Sequence, residues 1–238
     1  MSHFTVMVIG EDHKKQLAPF NENLELPRYV KYTKQQVIDE ERKNIEDYKN
    51  GRYAEYLKDK EAYRASCKNN GHHSNYLENE FPKMLEYTDE QLYAKGIEDF
   101  EQSEIGPDGE VYSTSNPNSK WDWYEVGGRW PGMLKLKQGV TPIAPVNFSW
   151  GWMREPEEMQ KVLSENCADI AFKKDIANLD EIVCFALLKD GKWYERGQMG
   201  WWAIASDEKP DDVWDAEFKK LVSELPDDTL ITIVDCHI

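Results

Sequence analysis

A chain of 238 residues with 40% hydrophobic and 12% aromatic residues buries a packed core, which excludes an intrinsically disordered chain. A formal net charge of −16 repels duplex DNA, RNA and anionic membranes, because Lys and Arg nowhere form a basic run that overrides the field. No run of residues approaches a membrane span, the N-terminus lacks a basic n-region, and the four cysteines are widely separated without a C-x-x-C pair, so reduced thiols in a cytoplasm are expected.

His3 to Ile9 is apolar and β-branched and is closed by Gly10, the pattern of a buried central strand. Pro19 and Pro27 make the next stretch an irregular connection, and Tyr29 to Tyr32 reads as a short edge strand. Thr33-Lys34-Gln35-Gln36 has the form of a capping box ahead of the helical stripe Val37, Ile38, Glu41, Ile45 and Tyr48. Gly51 interrupts it, and the tyrosines from Tyr53 to Tyr63 stripe a second charged helix, read as a packing face. The adjacent His72-His73 lacks any companion ligand spacing and reads as a solvated loop. Thr88-Asp89-Glu90-Gln91 repeats the capping box, so residues 33–102 form a mainly helical insertion.

Lys120 to Gly132 concentrates three Trp, three Gly and one Arg. At strand spacing Trp121 and Trp123 share one face, and Asp122 and Tyr124 the other. Gly127-Gly128 permits a tight turn or a ligand cradle, and Met133 to Lys137 alternates as the outgoing strand of a hairpin. Trp150 and Trp152 repeat the Trp-x-Trp spacing, and Pro156 precedes a short amphipathic helix. Ile182 to Leu188 is a continuous apolar run before Asp190-Gly191, a hairpin signal leading into Lys192 to Glu195. Asp207 to Asp228 carries nine acidic and three basic residues, with Val213, Trp214, Phe218, Leu221 and Val222 at helical spacing. Thr229 to Val234 is the last strand. Strands at both ends, hairpins between them and helices in blocks predict an α+β fold, with an antiparallel or mixed sheet and packed helices in one domain spanning 1–238.

The opening Met1-Ser2-His3-Phe4-Thr5-Val6, the blocks Trp121-Asp122-Trp123-Tyr124, Gly127-Gly128-Arg129-Trp130 and Gly197 to Trp202, and the ending Asp235-Cys236-His237-Ile238 resemble an uncharacterised family of bacteriophage and bacterial proteins. The resemblance implies a cytoplasmic setting and a phage accessory role, and it assigns no chemistry. His3-Phe4-Thr5-Val6 also has the His-apolar-Thr-apolar form of two-histidine phosphoesterases, which need a second such tetrad, and His13, His72-His73 and His237-Ile238 do not match it.

Three functions follow as expectations. The first is binding of a small planar anion, a nucleotide or signalling nucleotide. Bases would stack on Trp123, Trp130, Trp152 or Trp201, while Arg129, Arg196 and the backbone at Gly127 and Gly128 take phosphates. In a phage setting such a protein would sequester a host defence signal. The second is a hydrolase acting on a phosphorylated or nucleotide substrate, if the terminal strands bring His3 near Asp235 and His237 as a metal or acid–base site. The third is an acidic inhibitor that binds a host protein engaged in nucleic-acid processing. No metal site is assigned, and the residues identify no cofactor.

Overall fold

The computed structural model describes residues 2–66, 75–148, 156–200 and 204–238. The chain divides into two compact units, Met1–Glu25 with Ser115–Ile238, and Leu26–Thr114. The fold is α+β.

The first unit is built on a six-stranded mixed sheet. In chain order the described strands are β1 (His3–Ile9), β2 (Tyr29–Tyr32), β3 (Val111–Ser113), β4 (Trp123–Val126), β5 (Leu134–Lys135), β6 (Cys167–Ala168), β7 (Ile170–Phe172), β8 (Ala186–Lys189), β9 (Lys192–Glu195), β10 (Gln198–Met199), β11 (Ala205–Ser206) and β12 (Leu230–His237), and β1 runs at the centre of this sheet with β4, β7, β8, β9 and β12. The path is β4-β12-β1-β8-β9, with β7 also pairing β12, and only the β1–β8 pairing is parallel. The β8–β9 hairpin forms where Asp190-Gly191 predicts it, with positive φ at both residues (53° and 71°), the conformation that matches strand twist in a two-residue turn.

Because neighbouring strand residues point to opposite faces, the sheet carries two cores. On one face Met7, Leu187, Ile231 and Ile233 pack against Trp214, Phe218 and Val222 of the helix Asp211–Ser223. Burying Phe218 fully contributes about 2–3 kcal/mol of apolar transfer. On the other face Phe4, Val6, Val8, Val234 and Cys236 pack with Leu17, Phe20 and Trp121. Both buried indoles are satisfied: Trp214 Nε1 donates to the Cys184 carbonyl at 2.8 Å and Trp121 Nε1 to that of Leu17 at 3.1 Å.

A short helix, His13–Leu17, which Asp12 caps through its side chain, precedes the irregular connection and was not anticipated. Two local expectations are corrected. Leu134–Lys135 does not return along β4; it pairs with Cys167–Ala168, and β4 pairs with β12. Trp121 and Trp123 do not share a face. Strand pairing starts only at Trp123, and at Asp122 the chain folds so that its N–H meets the His237 carbonyl while its carboxylate accepts the Trp123 N–H. Alternation therefore cannot run back through Asp122, and Trp121 sides with Tyr124 instead (ring centroids 4.9 Å).

The second unit holds the helical stretch. Both capping boxes form, Thr33 with Gln36 and Thr88 with Gln91, each satisfying backbone N–H groups that a helix start leaves open. Gly51 departs from helical geometry (φ −93°, ψ −105°) and ends the first long helix, Lys34–Tyr48, as its place in the pattern predicts. The tyrosine stripe is packing: Tyr53 lies against Phe81, and buried Tyr56 donates to Glu78 at 2.9 Å. Tyr29–Tyr32 forms a two-stranded ribbon with Val111–Ser113. Among the described residues no helix is long and apolar enough to cross a membrane.

Candidate functional site

Register decides which side chains meet at the end of the sheet where β1 begins and β12 approaches His237. His3, His237 and Trp123 stand in one cross-strand row, and Thr5, Asp235 and Glu125 in the next. All six occupy alternate positions in line with Met7, Ile9, Ile231 and Ile233, so one face is apolar along most of its length and turns polar at this end.

Each histidine has its own carboxylate. His3 Nδ1 lies 2.9 Å from Asp235 Oδ1, with side chains 8% and 0% exposed. The second Asp235 oxygen accepts the Arg129 backbone N–H at 3.0 Å, so this fully buried carboxylate is paired on both sides. His237 Nδ1 lies 2.6 Å from Asp122 Oδ1, which also accepts the Trp123 N–H at 2.7 Å. A carboxylate at Nδ1 holds the ring proton there and leaves Nε2 of the neutral ring as a lone pair, the arrangement of an oriented general base.

The two imidazoles meet edge to face with centroids 5.0 Å apart, and Trp123 stacks on His237 at 5.1 Å and 18°. His237 Nε2 is buried and has no hydrogen-bond partner among the described residues, as does Glu125 Oε2 on the neighbouring row. A buried acceptor without a partner costs roughly 1–3 kcal/mol.

The glycines have a steric reason. A Cβ on Gly127 would sit 2.4 Å from Asp169 Oδ2, and one on Gly128 would sit 2.5 Å from Asp235 Cβ. The turn is wedged between two buried carboxylates, one of which is the His3 partner. Asp169 binds the backbone N–H groups of Gly132 and Asn147, both at 2.6 Å, and burial pushes its carboxyl above the usual range while those two donors oppose the rise. Gly128→Ala is expected to destabilise the protein by about 1–2 kcal/mol through its positive φ alone (58°), with the clash added. Chemical denaturation checks this; an unchanged midpoint would contradict the packing.

Trp123 keeps 39% of its surface exposed beside the histidines. Arg129 has an exposed side chain, and half-buried Trp130 donates its backbone N–H to the Gly127 carbonyl. Arg196 lies within ion-pair distance of Glu208 (3.3 Å) and Asp211 (2.9 Å) of the same unit, while its buried Nε has no hydrogen-bond partner among the described residues. Trp152 and Trp201, like Cys67 and His72-His73, lie outside the described residues. The sequence reading misses Asp122, which its alternation assigned to the opposite face from Trp123. No group of three or more His, Cys, Asp or Glu side chains among the described residues is arranged to hold a metal ion.

The thiols stand apart from this chemistry. Burial pushes Cys184 up to about 12 and Cys236 well above the ordinary thiol value. Iodoacetamide is therefore expected to label Cys184 and Cys236 only after unfolding, and peptide mapping that finds them alkylated in the native protein would contradict this burial. No protein-family model, curated protein or solved structure matches the chain, so the site stands on its own geometry.

Proposed function

We propose that the protein is a hydrolase in which His3 and His237 act as a general acid and base on a phosphorylated or nucleotide substrate. The observation that carries this reading is the pairing of two imidazoles across β1 and β12, each oriented at Nδ1 by its own carboxylate. Hydrolysis of a phosphodiester needs both halves of that pair. One ring takes a proton from water through Nε2 as the new P–O bond forms; the other, protonated, gives its proton to the leaving oxygen as the old P–O bond breaks. Asp235 and Asp122 act through the rings they hold and are positioning residues. The exposed Trp123 face beside the rings supplies a surface on which a base can stack.

Trp123 also favours a second reading, capture of a planar anion without turnover, which in a phage accessory protein would sequester a host signal. A single experiment separates the two. Linear and cyclic nucleotides are titrated while tryptophan fluorescence is followed, and each mixture is then resolved by chromatography. Saturable quenching with conversion, lost in His3→Ala and His237→Ala, supports the hydrolase. Quenching with intact nucleotide supports capture, and no response from any nucleotide counts against both and favours an acidic, protein-binding inhibitor.

A further inference from the structure

A second site lies at the other end of the same sheet face. The side of the helix Asp211–Ser223 that carries Phe218 and Val222 forms one wall of a cavity of about 410 Å³, and the segment 173–180 lies across from it. That volume falls in the range of about 300–1,000 Å³ typical of small-molecule sites. Ala177 and Leu179 supply the accessible apolar surface of the cavity, and Ile176, Phe218 and Val222 of the main core lie beneath it.

The rim is basic in an acidic protein. Lys137, Lys173, Lys174 and Lys219 all line the cavity, against only Asp180 and Asp227. None of the four lysines forms an ion pair with a carboxylate among the described residues, although the chain has 45 acidic residues to 29 basic ones. Lys137 and Lys173 are instead anchored to backbone carbonyls, of Lys174 (2.6 Å) and Ser223 (3.0 Å) respectively. These bonds fix the ammonium groups at the wall and leave their charge without a counter-ion. Lys174 and Lys219 are exposed and present two further charges.

We propose that this cavity binds a small amphipathic anion, with a carboxylate or phosphate head group on the lysine rim and an apolar body against Ala177 and Leu179. A head group gains charge-assisted hydrogen bonds and relieves the repulsion among the lysines, and the body buries apolar surface. The segment 173–180 is tied to the start of β12, where the Lys173 and Lys174 N–H groups donate to the Thr229 and Asp227 carbonyls. Leu230 and His237 are seven steps apart along β12, about 23 Å at strand rise, so the cavity is separate from the histidine pair and independent of the function proposed there.

The test uses the full-length protein and calorimetric titration with decanoate, decyl phosphate, decanol and inorganic phosphate. Decanoate or decyl phosphate is expected to bind one site at least tenfold more tightly than decanol or phosphate, which separates the head-group sources as well as the two halves of the ligand. Lys174→Glu/Lys219→Glu, both on exposed side chains, is expected to weaken that binding at least tenfold. Lys192→Glu, at the start of β9, is expected to leave it unchanged, with circular dichroism confirming that both variants fold. Equal affinity for decanol, an unaltered constant in the double variant, or no binding by either amphiphile would overturn the proposal. Tighter, lysine-dependent binding of an acidic peptide would replace it with a protein partner.

Discussion

Replacing His3 or His237 by glutamine is expected to lower turnover of the substrate identified in the nucleotide panel by about 10²–10⁴-fold, the usual contribution of one positioned acid or base. The double variant is expected to be little worse than either single one, because an acid and a base that serve one transition state fail together. Glutamine keeps much of the imidazole volume at two positions that are barely exposed, so a large loss of turnover with an unchanged unfolding midpoint locates the effect in chemistry. The wild-type pH–rate profile is expected to be bell-shaped, since one ring must be neutral while the other carries a proton. Each single variant is expected to lose one limb. A profile that keeps both limbs in His237→Gln would remove that ring from the reaction.

Asp235→Ala is expected to be the most destabilising single change at the site. It leaves the His3 Nδ1 proton and the Arg129 N–H without their acceptor in a position with no solvent exposure. Breaking a buried pair from one side costs about 3–5 kcal/mol, which for a chain of this size lowers Tm by about 6–20 °C. Asp235→Asn separates stability from positioning. It keeps the shape but aims a donor at either His3 or Arg129, and is expected to lower turnover about 10–100-fold while perturbing the pH profile of the His3 limb. Asp122→Asn is the matched variant for His237. If Asp235→Asn turned over substrate at the wild-type rate with an unshifted profile, the carboxylate would be structural only.

The candidate site was legible in the sequence to an uneven degree. His3, Asp235 and His237 could be named because each closes an apolar strand pattern at one end of the chain, on the condition that the terminal strands pair. They do pair, with His3 directly opposite His237 across 234 positions of sequence. Asp122 was not legible, because its side chain joins His237 only where pairing with β12 starts at Trp123, and no local pattern marks the onset of a strand. Gly127 and Gly128 announced close approach but not what approaches. The answer, the carboxylates of Asp169 and Asp235, comes from positions about 40 and 107 residues further on.

What the sequence by itself determined is what neighbours within a few residues decide. Both capping boxes, the break at Gly51, the Asp190-Gly191 turn and the apolar runs of β1 and β12 rest on local backbone sterics, on hydrogen bonds to adjacent N–H groups and on side-chain period. Only the tertiary structure decided the register. A one-residue slip between β1 and β12 would carry one histidine to the opposite face, and nothing within either strand forbids it. The slip is prevented by the two cores the register fills, Met7 and Ile233 on one side and Val6 and Val234 on the other, and these exist only when the whole unit has folded.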